Sequence, residues 1–213
     1  MIKIAPSILA SNFMCLKDEI KAIEEAKADL IHFDVMDGHF VPNLTFGPMI
    51  LKQAKKCSNL LFDVHLMVNE PHKFIPWYAQ NGADIITIHL EASLDIFRDI
   101  ELIKSLGCKV GLSIKPETNI LDIEPYLDYI DLVLVMAVNP GFGGQKFNQH
   151  TVERICSIKK MIRNRNILIE VDGGINQDTS KLCIEAGADI LVAGTYIFGS
   201  DNYSKRINEL KGE

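Results

Sequence analysis

A histidine and an aspartate stand two residues apart inside an apolar stretch of the chain. His32 and Asp34 interrupt residues 30–35, a run otherwise typical of a buried strand. Side chains at positions i and i+2 of a strand point to the same face, so the imidazole and the carboxylate lie side by side. Burying such a pair is costly unless a charge or a metal ion satisfies it, although hydrogen bonds to each other or to backbone would also account for an isolated pair.

Other apolar stretches end in the same kind of side chain. His65 lies in the run 60–66, Asp172 ends the run 167–172, His89 lies near the end of the run 84–90, and Glu91 follows that run directly. A polar group at the exit of one apolar strand is weak evidence for a site. Several such exits indicate a site if the fold brings them together.

The chain alternates between strand and helix patterns along its whole length. The predicted strands cover residues 2–5, 29–36, 60–66, 84–90, 108–114, 130–136, 167–172 and 190–193, with helical patterns between and after them. Continuous Val, Ile and Leu runs that alternate with helices indicate a parallel sheet covered by helices. An Ala-Asp step that joins helix to strand at residues 27–29, 82–84 and 187–189 is a weak internal repeat that supports this alternation.

Two architectures fit such an alternation. An open doubly wound sheet normally carries a glycine-rich GxGxxG turn after its first strand, and residues 5–9 read Ala-Pro-Ser-Ile-Leu instead. Eight units in 213 residues favour a compact (β/α)8 TIM barrel, in the α/β class. We therefore predict a single barrel domain spanning residues 1–213.

Active sites of such barrels lie at the C-terminal ends of the strands. His32, Asp34, His65 and Asp172 meet there as two imidazoles and two carboxylates, a set that can hold zinc, iron(II), manganese or cobalt. His89 and Glu91 receive less weight, since a supporting or core role accounts for them equally well. His39, His72 and His150 fall in loops or helix starts and are not assigned a role.

Three glycine-rich turns lie at the same end of the predicted barrel. They follow strands six, seven and eight and read PGFGGQ at residues 140–145, DGG at 172–174 and AGT at 193–195. Glycine lets backbone amides approach an anion, and barrels often bind phosphate at the loops after strands seven and eight. The turns therefore predict a phosphate site.

The two aspartates of the predicted metal set suggest a catalytic use. Asp34 and Asp172 come from well-separated strands, so a substrate between them has one carboxylate on each face. A metal ion that chelates a carbonyl and the adjacent hydroxyl oxygen acidifies the carbon-bound hydrogen and stabilises an enediolate. If one aspartate removes the proton and the other returns it, a centre next to a ketone is inverted.

At five places the sequence resembles the ribulose-phosphate 3-epimerase family. The matching motifs are APSIL at 5–9, HFDVMDGHFVPN at 32–43, DVHLMV at 63–68, VNPGFGGQ at 138–145 and EVDGGI at 170–175, and the resemblance covers essentially the full length. The family consists of (β/α)8 barrels that interconvert D-ribulose 5-phosphate and D-xylulose 5-phosphate in the pentose phosphate pathway.

The resemblance implies roles for individual residues. Asp34 would be the proton acceptor and Asp172 the proton donor, and both would bind one divalent ion, zinc or iron(II) before manganese or cobalt, together with His32 and His65. Substrate contacts would come from Ser7, His65, Gly141, Phe142, Gly143, Gly144, Asp172, Gly173, Gly174, Gly194 and Thr195. Met36, Met67 and Met136 match methionines that line the family's pocket, although core packing would explain them as well. A homo-oligomer, dimer or hexamer, is expected of the family.

Two positions depart from the family pattern. Many members place Asn where this chain has Lys115 before Pro116, and Ser is frequent where this chain has Thr195. Neither position belongs to the predicted metal ligands or acids. Lys115 affects only the arrangement expected at the exit of strand five.

Composition excludes several other classes of protein. The formal charge is −6 and no Lys/Arg run interleaves with aromatic residues, which argues against a nucleic-acid partner. The five cysteines are scattered and never spaced as CxxC, which fits a reducing compartment and no disulfide framework. No apolar stretch reaches the roughly 20 residues of a membrane span and no leader pattern opens the chain. We therefore expect a cytoplasmic protein without a membrane partner.

Three alternatives remain open from the residues. The nearest is a sister 3-epimerase that acts on D-allulose 6-phosphate, a substrate one carbon longer, although the GFGGQ turn and the Ser-Ile-Leu opening favour the pentose substrate. A barrel synthase or aldolase would need a lysine nucleophile, for which Lys115 is the one candidate. A non-catalytic phosphate-binding barrel would be expected to have lost one acid or ligand, and all four are present.

Overall fold

The computed structural model describes residues 2–213, and within them eight parallel strands alternate with helices. The strands are β1 (Lys3–Pro6), β2 (Leu30–Met36), β3 (Leu61–Met67), β4 (Ile85–His89), β5 (Lys109–Ile114), β6 (Leu132–Met136), β7 (Leu168–Asp172) and β8 (Ile190–Ala193). The α-helices are α1 (Leu16–Glu25), α2 (Pro48–Ala54), α3 (Ile75–Ala79), α4 (Ile96–Ser105), α5 (His150–Ile162), α6 (Gln177–Ala186), α7 (Thr195–Phe198) and α8 (Tyr203–Lys211).

The sheet closes on itself as a barrel. Each strand from β2 to β8 pairs in parallel with its neighbour in sequence, and β8 pairs with β1. The remaining gap between β1 and β2 is bridged by a parallel pairing of Ser7 with His32 and by a backbone hydrogen bond of 2.9 Å from Asp29 to Ile4. The predicted (β/α)8 TIM barrel is therefore confirmed.

Apolar side chains fill two regions of the barrel. Most of the core lies between the strands and the surrounding helices. A second cluster fills the interior of the barrel and consists of Ala5, Leu30, Ile85, Leu132, Leu134, Met136, Ile190 and Val192. Along β2 the inward positions change from apolar to polar, since His32 and Asp34 follow Leu30 at steps of two residues. The C-terminal end of the barrel is therefore the polar end.

Aspartates anchor the opposite end. Four of them precede β2, β4, β6 and β8, and each accepts a hydrogen bond from a backbone N–H of the preceding strand at 2.8–2.9 Å: Asp29 from Ile4, Asp84 from Phe62, Asp131 from Val110 and Asp189 from Ile169. The Ala-Asp repeat of the sequence identified three of these; Asp131 follows an isoleucine and escaped the pattern.

Some helical segments differ from the sequence-based expectation. The helical pattern between the fifth and sixth strands predicted a helix at about 120–127, and this segment is a 3₁₀-helix over Ile120–Tyr129. It contains Pro125, which has no N–H to donate to an α-helical ladder. Residues 71–80 divide into a 3₁₀ turn, Pro71–Lys73, and α3. Helix α7 has only four residues, too few for a periodic pattern. Along the part of the chain described, none of the helices combines the length and apolarity that crossing a membrane requires.

Candidate active site

The four predicted metal ligands meet at the C-terminal end of the barrel. His32 and Asp34 come from β2, His65 from β3 and Asp172 from the end of β7. Each offers one ligand atom, and these atoms all lie within 4.8 Å of one another. Two imidazole nitrogens and two carboxylate oxygens are a donor set suited to a divalent transition metal or zinc.

Asp34 is the centre of this cluster. One carboxylate oxygen, Oδ1, lies 3.3 Å from His32 Nε2 and 3.2 Å from His65 Nδ1. These two nitrogens are 3.3 Å apart. The other oxygen, Oδ2, accepts a hydrogen bond of 2.5 Å from the Ser7 hydroxyl. Both imidazoles therefore direct one nitrogen toward the same carboxylate.

The far nitrogen of each histidine has a buried partner of its own. His32 Nδ1 lies 2.8 Å from Asp63 Oδ2, and the other oxygen of Asp63 accepts from the Thr87 hydroxyl at 2.9 Å. His65 Nε2 lies 2.8 Å from His89 Nε2. Such partners orient a histidine ring and decide which nitrogen is free to bind a metal.

Sequence reasoning did not assign Asp63 or Thr87 a place in the site. A signal was present for the aspartate, because Asp63 precedes His65 by two residues and repeats the spacing of His32 and Asp34. His89, which received little weight, lies directly against His65, with the centres of the two rings 4.9 Å apart. It supports the cluster from outside.

The charges of the cluster favour a cation. Burial raises the pKa of Asp34, but His32 outweighs it and holds that pKa well below its usual range. Burial and the neighbouring Asp34 raise the pKa of Asp172 to about 6. Burial lowers the pKa of His32, yet Asp34 and the adjoining carboxyl groups raise it well above its ordinary value. Two carboxylates that repel each other beside imidazole nitrogens form a place where a divalent ion fits.

Glu170 lies deeper in the barrel and was not singled out by its sequence pattern. Its Oε1 is 3.6 Å from His32 Nδ1, and burial raises the pKa of this carboxyl to about 8. Within the described residues neither of its oxygens has a hydrogen-bond partner. His32, Asp63 and Glu170 also lie close enough to hold an ion, but His32 Nδ1 is already engaged by Asp63. The four-residue cluster is the better metal site.

A cavity of about 620 Å³ opens above the cluster. Its walls include almost all of the predicted substrate and pocket residues: Ser7, Asp34, Met36, Met67, Met136, Gly141, Phe142, Gly143, Gly144, Asp172, Gly173, Gly174, Gly194 and Thr195. His32 and His65 have no exposed surface and lie beneath these walls. The structure also places Lys146, Asn176 and Thr179 at the cavity, which the sequence analysis missed. Asn176 and Thr179 form the capping box of α6, a spacing readable in sequence.

The turn after β7 can be built only with glycine. Gly173 and Gly174 have φ of 115° and 65°, in the left-handed region. A Cβ atom on Gly173 would lie 2.5 Å from a Val138 side-chain carbon, and one on Gly174 would lie 2.5 Å from the backbone nitrogen of Phe147. The loops after β6 and β7 therefore pack backbone against backbone at the cavity wall.

Other polar candidates lie away from the cavity. His39 Nδ1 bonds to the backbone oxygen of Asp37, His72 is half-buried in a 3₁₀ turn, and His150 is exposed at the start of α5. The Lys115 ammonium lies 4.1 Å from the ring centre of Phe40 and is not among the residues that line the cavity. A Schiff-base chemistry based on Lys115 therefore has no support from its position.

Solved structures with the same fold belong to several enzymes. A crystal structure of KGPDC from Streptococcus mutans aligns with a TM-score of 0.77 at 14% identity, over 99% of this chain and 96% of that chain. A mutant tryptophan synthase α-subunit from Pyrococcus furiosus aligns with a TM-score of 0.74 at 16% identity, over the full length of both chains. At such identities the likeness establishes the barrel fold and nothing further.

Sequence relatives are much nearer. Residues 3–198 match the family model described as the ribulose-phosphate 3 epimerase family. The ribulose-phosphate 3-epimerase of Bacillus subtilis is 49% identical over 100% of this chain and 99% of its own length. The chloroplastic ribulose-5-phosphate-3-epimerase of Arabidopsis thaliana is 44% identical over 99% of this chain and 76% of its own. The chain belongs to the ribulose-phosphate 3-epimerase family and is an isomerase.

Proposed function

We propose that the chain inverts carbon 3 of D-ribulose 5-phosphate to give D-xylulose 5-phosphate, and catalyses the reverse, with Asp34 and Asp172 as its acid and base. One observation carries this proposal. The two carboxylates reach the same cluster and the same cavity from β2 and β7, which are separated in the sheet by β1 and β8. A substrate held between them would present opposite faces of one carbon to the two groups.

His32, Asp34, His65 and Asp172 would hold one divalent ion. Zinc and iron(II) suit the imidazole and carboxylate set best, with manganese or cobalt as alternatives. When bound, the ion would acidify the hydrogen on carbon 3 and stabilise the enediolate formed when that hydrogen leaves. The close approach of two imidazole nitrogens and two carboxylates, all buried or nearly so, supports this assignment.

The two aspartates have separate tasks in this mechanism. Asp34 takes the proton from carbon 3, and the Ser7 hydroxyl, 2.5 Å from its Oδ2, holds the carboxylate in place while it does so. Asp172 returns a proton to the opposite face of the same carbon. The reverse reaction exchanges the two tasks.

The remaining walls of the cavity would bind the rest of the substrate. The turns at Gly141–Gly144, Gly173–Gly174 and Gly194–Thr195 would direct backbone amides at the phosphate, as loops after strands seven and eight do in many barrels. Met36, Met67 and Met136 would form an apolar wall beside the metal ligands. His65 would contact substrate through the metal site, since it lies beneath the cavity surface.

A coupled assay tests this function. The protein would be stripped of metal, reloaded with zinc or iron(II), and given D-ribulose 5-phosphate and D-allulose 6-phosphate separately. Metal-dependent turnover that strongly favours the pentose is the expected result. Preference for the hexose would keep the mechanism and change the substrate, and absence of turnover with either, metal being bound, would contradict the proposal.

We also propose that residues 1–213 form one domain, that the protein acts as a homo-oligomer, dimer or hexamer, and that it resides in the cytoplasm. The last helix supports the first point, because the Tyr203 hydroxyl donates to Glu19 of α1 at 2.6 Å and ties the two ends of the chain together. All five cysteines are free thiols, which fits a reducing compartment. Light scattering on the protein as it elutes from a size-exclusion column would measure the number of copies in the oligomer.

A further inference from the structure

The metal ligand His65 is hydrogen-bonded to a second histidine that no part of the mechanism uses. His65 Nε2 and His89 Nε2 lie 2.8 Å apart, and neither side chain is exposed. Two imidazole nitrogens at this distance share one proton, so one must donate and the other accept. Which nitrogen of His89 carries the hydrogen therefore determines which nitrogen of His65 carries it.

Glu91 determines which nitrogen of His89 carries the hydrogen. His89 Nδ1 lies 3.2 Å from Glu91 Oε2, and a carboxylate can only accept a hydrogen bond. His89 Nδ1 therefore carries the hydrogen, and its Nε2 presents a lone pair to His65. His65 in turn carries its hydrogen on Nε2, so that its Nδ1 presents a lone pair to the cluster, 3.2 Å from Asp34 Oδ1.

The loop after β5 holds Glu91 in the orientation that this chain of bonds requires. The backbone N–H of Lys115 donates to Glu91 Oε1 at 2.8 Å, and the Thr118 hydroxyl donates to the same oxygen. Arg154 of α5 fixes the loop, because its guanidinium donates to the carbonyl oxygens of Thr118 and Lys115 at 2.7 and 2.9 Å. With Oε1 occupied by two donors, Oε2 is left for His89.

The two histidine ligands are thus oriented by different means. His32 donates from Nδ1 directly to Asp63 and offers Nε2 to the cluster. His65 offers the opposite nitrogen, Nδ1, and the carboxylate that orients it, Glu91, acts on it through His89.

We propose that Glu91 and His89 are positioning residues that hold His65 in the tautomer able to bind metal through Nδ1, and that Thr118 holds Glu91 in place for this task. The inference rests on the proposed metal site. The loop after β5 would then affect metal affinity, although β4 separates β5 from β3, which carries His65.

Glu91→Gln gives the sharpest test, because it exchanges donors for acceptors along the chain of hydrogen bonds from residue 91 to His89 and His65, with almost no change in side-chain shape. The amide oxygen must stay where Lys115 and Thr118 donate, so the NH₂ group faces His89 Nδ1 and forces that nitrogen to accept. His89 then carries its hydrogen on Nε2, facing His65. We expect zinc affinity, measured by titration against a competing chelator, to fall about 10- to 100-fold.

Three further variants complete the series. His89→Leu removes the acceptor for His65 and should weaken zinc binding to a similar extent, whereas His89→Gln keeps an amide oxygen for His65 and should recover most of the loss. Thr118→Val removes one of the two donors to Glu91 Oε1 and leaves the backbone N–H of Lys115, so it should weaken zinc binding less. His150 and Glu153, an exposed pair on α5 at 3.8 Å, provide the matched controls His150→Leu and Glu153→Gln, which should bind zinc like the parent.

Long-range ¹H–¹⁵N spectra of the zinc-loaded protein give a second readout. The hydrogen of His89 should be on Nδ1 in the parent and on Nε2 in Glu91→Gln. Parental zinc affinity in Glu91→Gln, or His89 protonated on Nδ1 in both proteins, would overturn the inference while leaving the proposed function standing. A parent that turns over without metal would instead remove the proposed metal site and this inference with it.

Discussion

The Ser7 hydroxyl donates a 2.5 Å hydrogen bond to Asp34 Oδ2 at the place where the barrel closes. The same residue forms a β-bridge to His32, which helps to join β1 to β2. One residue therefore takes part both in the closure of the sheet and in the orientation of the proposed proton acceptor. Asp34 has its Oδ1 committed to the two histidines, so its Oδ2 is directed by Ser7 alone among the contacts described.

Ser7→Ala should lower kcat more than it changes KM. The lost hydrogen bond joins a hydroxyl to a charged carboxylate, an interaction of about 1.5–3 kcal/mol, so a decrease of roughly ten- to a hundredfold is expected. Steady-state kinetics on the metal-loaded protein measures it. Ser11→Ala is the matched control, since the Ser11 hydroxyl is also buried but donates to the carbonyl oxygen of Ile8, away from the cavity. Equal kinetics in the two variants would contradict the assigned role of Ser7.

Asp34→Asn and Asp172→Asn should each abolish epimerisation while leaving the fold intact. If each carboxylate serves one face of carbon 3, each variant that still binds metal should exchange solvent deuterium into only one of the two epimers. The two variants should label opposite epimers. Mass spectrometry of each sugar phosphate after incubation in D₂O, alongside metal content and circular dichroism, checks this. Full activity in either variant, or labelling of the same epimer by both, would refute the two-face mechanism.

Gly174→Ala should destabilise the protein more than a left-handed backbone alone explains. An alanine at positive φ costs about 1–2 kcal/mol. Gly107→Ala is the control for that cost, because Gly107 has φ of 80° and a Cβ there would meet nothing within 4 Å. At Gly174 the added Cβ would also meet the backbone of Phe147, and overpacking of this kind costs about 1–3 kcal/mol more. Urea unfolding should show that difference, and equal losses in both variants would be inconsistent with the crowded turn.

Glu91→Gln should change the acid stability of the protein in a definite direction. Burial raises the pKa of Glu91, but hydrogen bonds from His89, Thr118 and Lys115 outweigh it and lower that pKa to about 2, against an ordinary value of 4.5. A carboxyl whose pKa is lower in the folded chain stabilises the fold above the unfolded value and loses that contribution as the pH falls toward the folded value. The parent should therefore exceed Glu91→Gln in stability most at neutral pH.

Unfolding free energies measured from neutral pH down to about pH 3 would show the two proteins converging. Glu153→Gln, altered at an exposed glutamate, should follow the parent throughout. A constant gap between the parent and Glu91→Gln would mean that the Glu91 carboxylate contributes through its shape and not through its charge.

The fold and the cluster were predictable for simple physical reasons. Strand alternation shows in apolar runs, and the i, i+2 rule together with the C-terminal location of barrel sites placed His32, Asp34, His65 and Asp172 at one end, where the structure confirms that they meet. Their roles in catalysis and metal binding stay predictions. The glycine-rich turns were predictable from their positions after strands six, seven and eight, and family resemblance identified the methionines that line the cavity.

The contacts that could not be predicted from the sequence depend on how side chains of neighbouring strands are oriented. His65 and His89 are 24 positions apart, and their contact requires particular ring rotations on β3 and β4. Lys115 could be placed at the exit of β5 but not turned toward Phe40. Glu170 shares the inward face of β7 with Asp172, yet nothing in its spacing indicates that its carboxylate has no hydrogen-bond partner within residues 2–213.

The four aspartates at the N-terminal ends of β2, β4, β6 and β8 give the base of the barrel a fourfold pseudosymmetry. Its repeating unit is a module of two strands, in which the carboxylate before the second strand binds the backbone of the first. The opposite end follows no such rule, since the proposed ligands come from β2, β3 and β7 alone. Four similar modules therefore stabilise the base of the barrel, whereas only some of them supply the proposed ligands. The residues at the catalytic end can thus diverge without altering the hydrogen bonds that hold the base together.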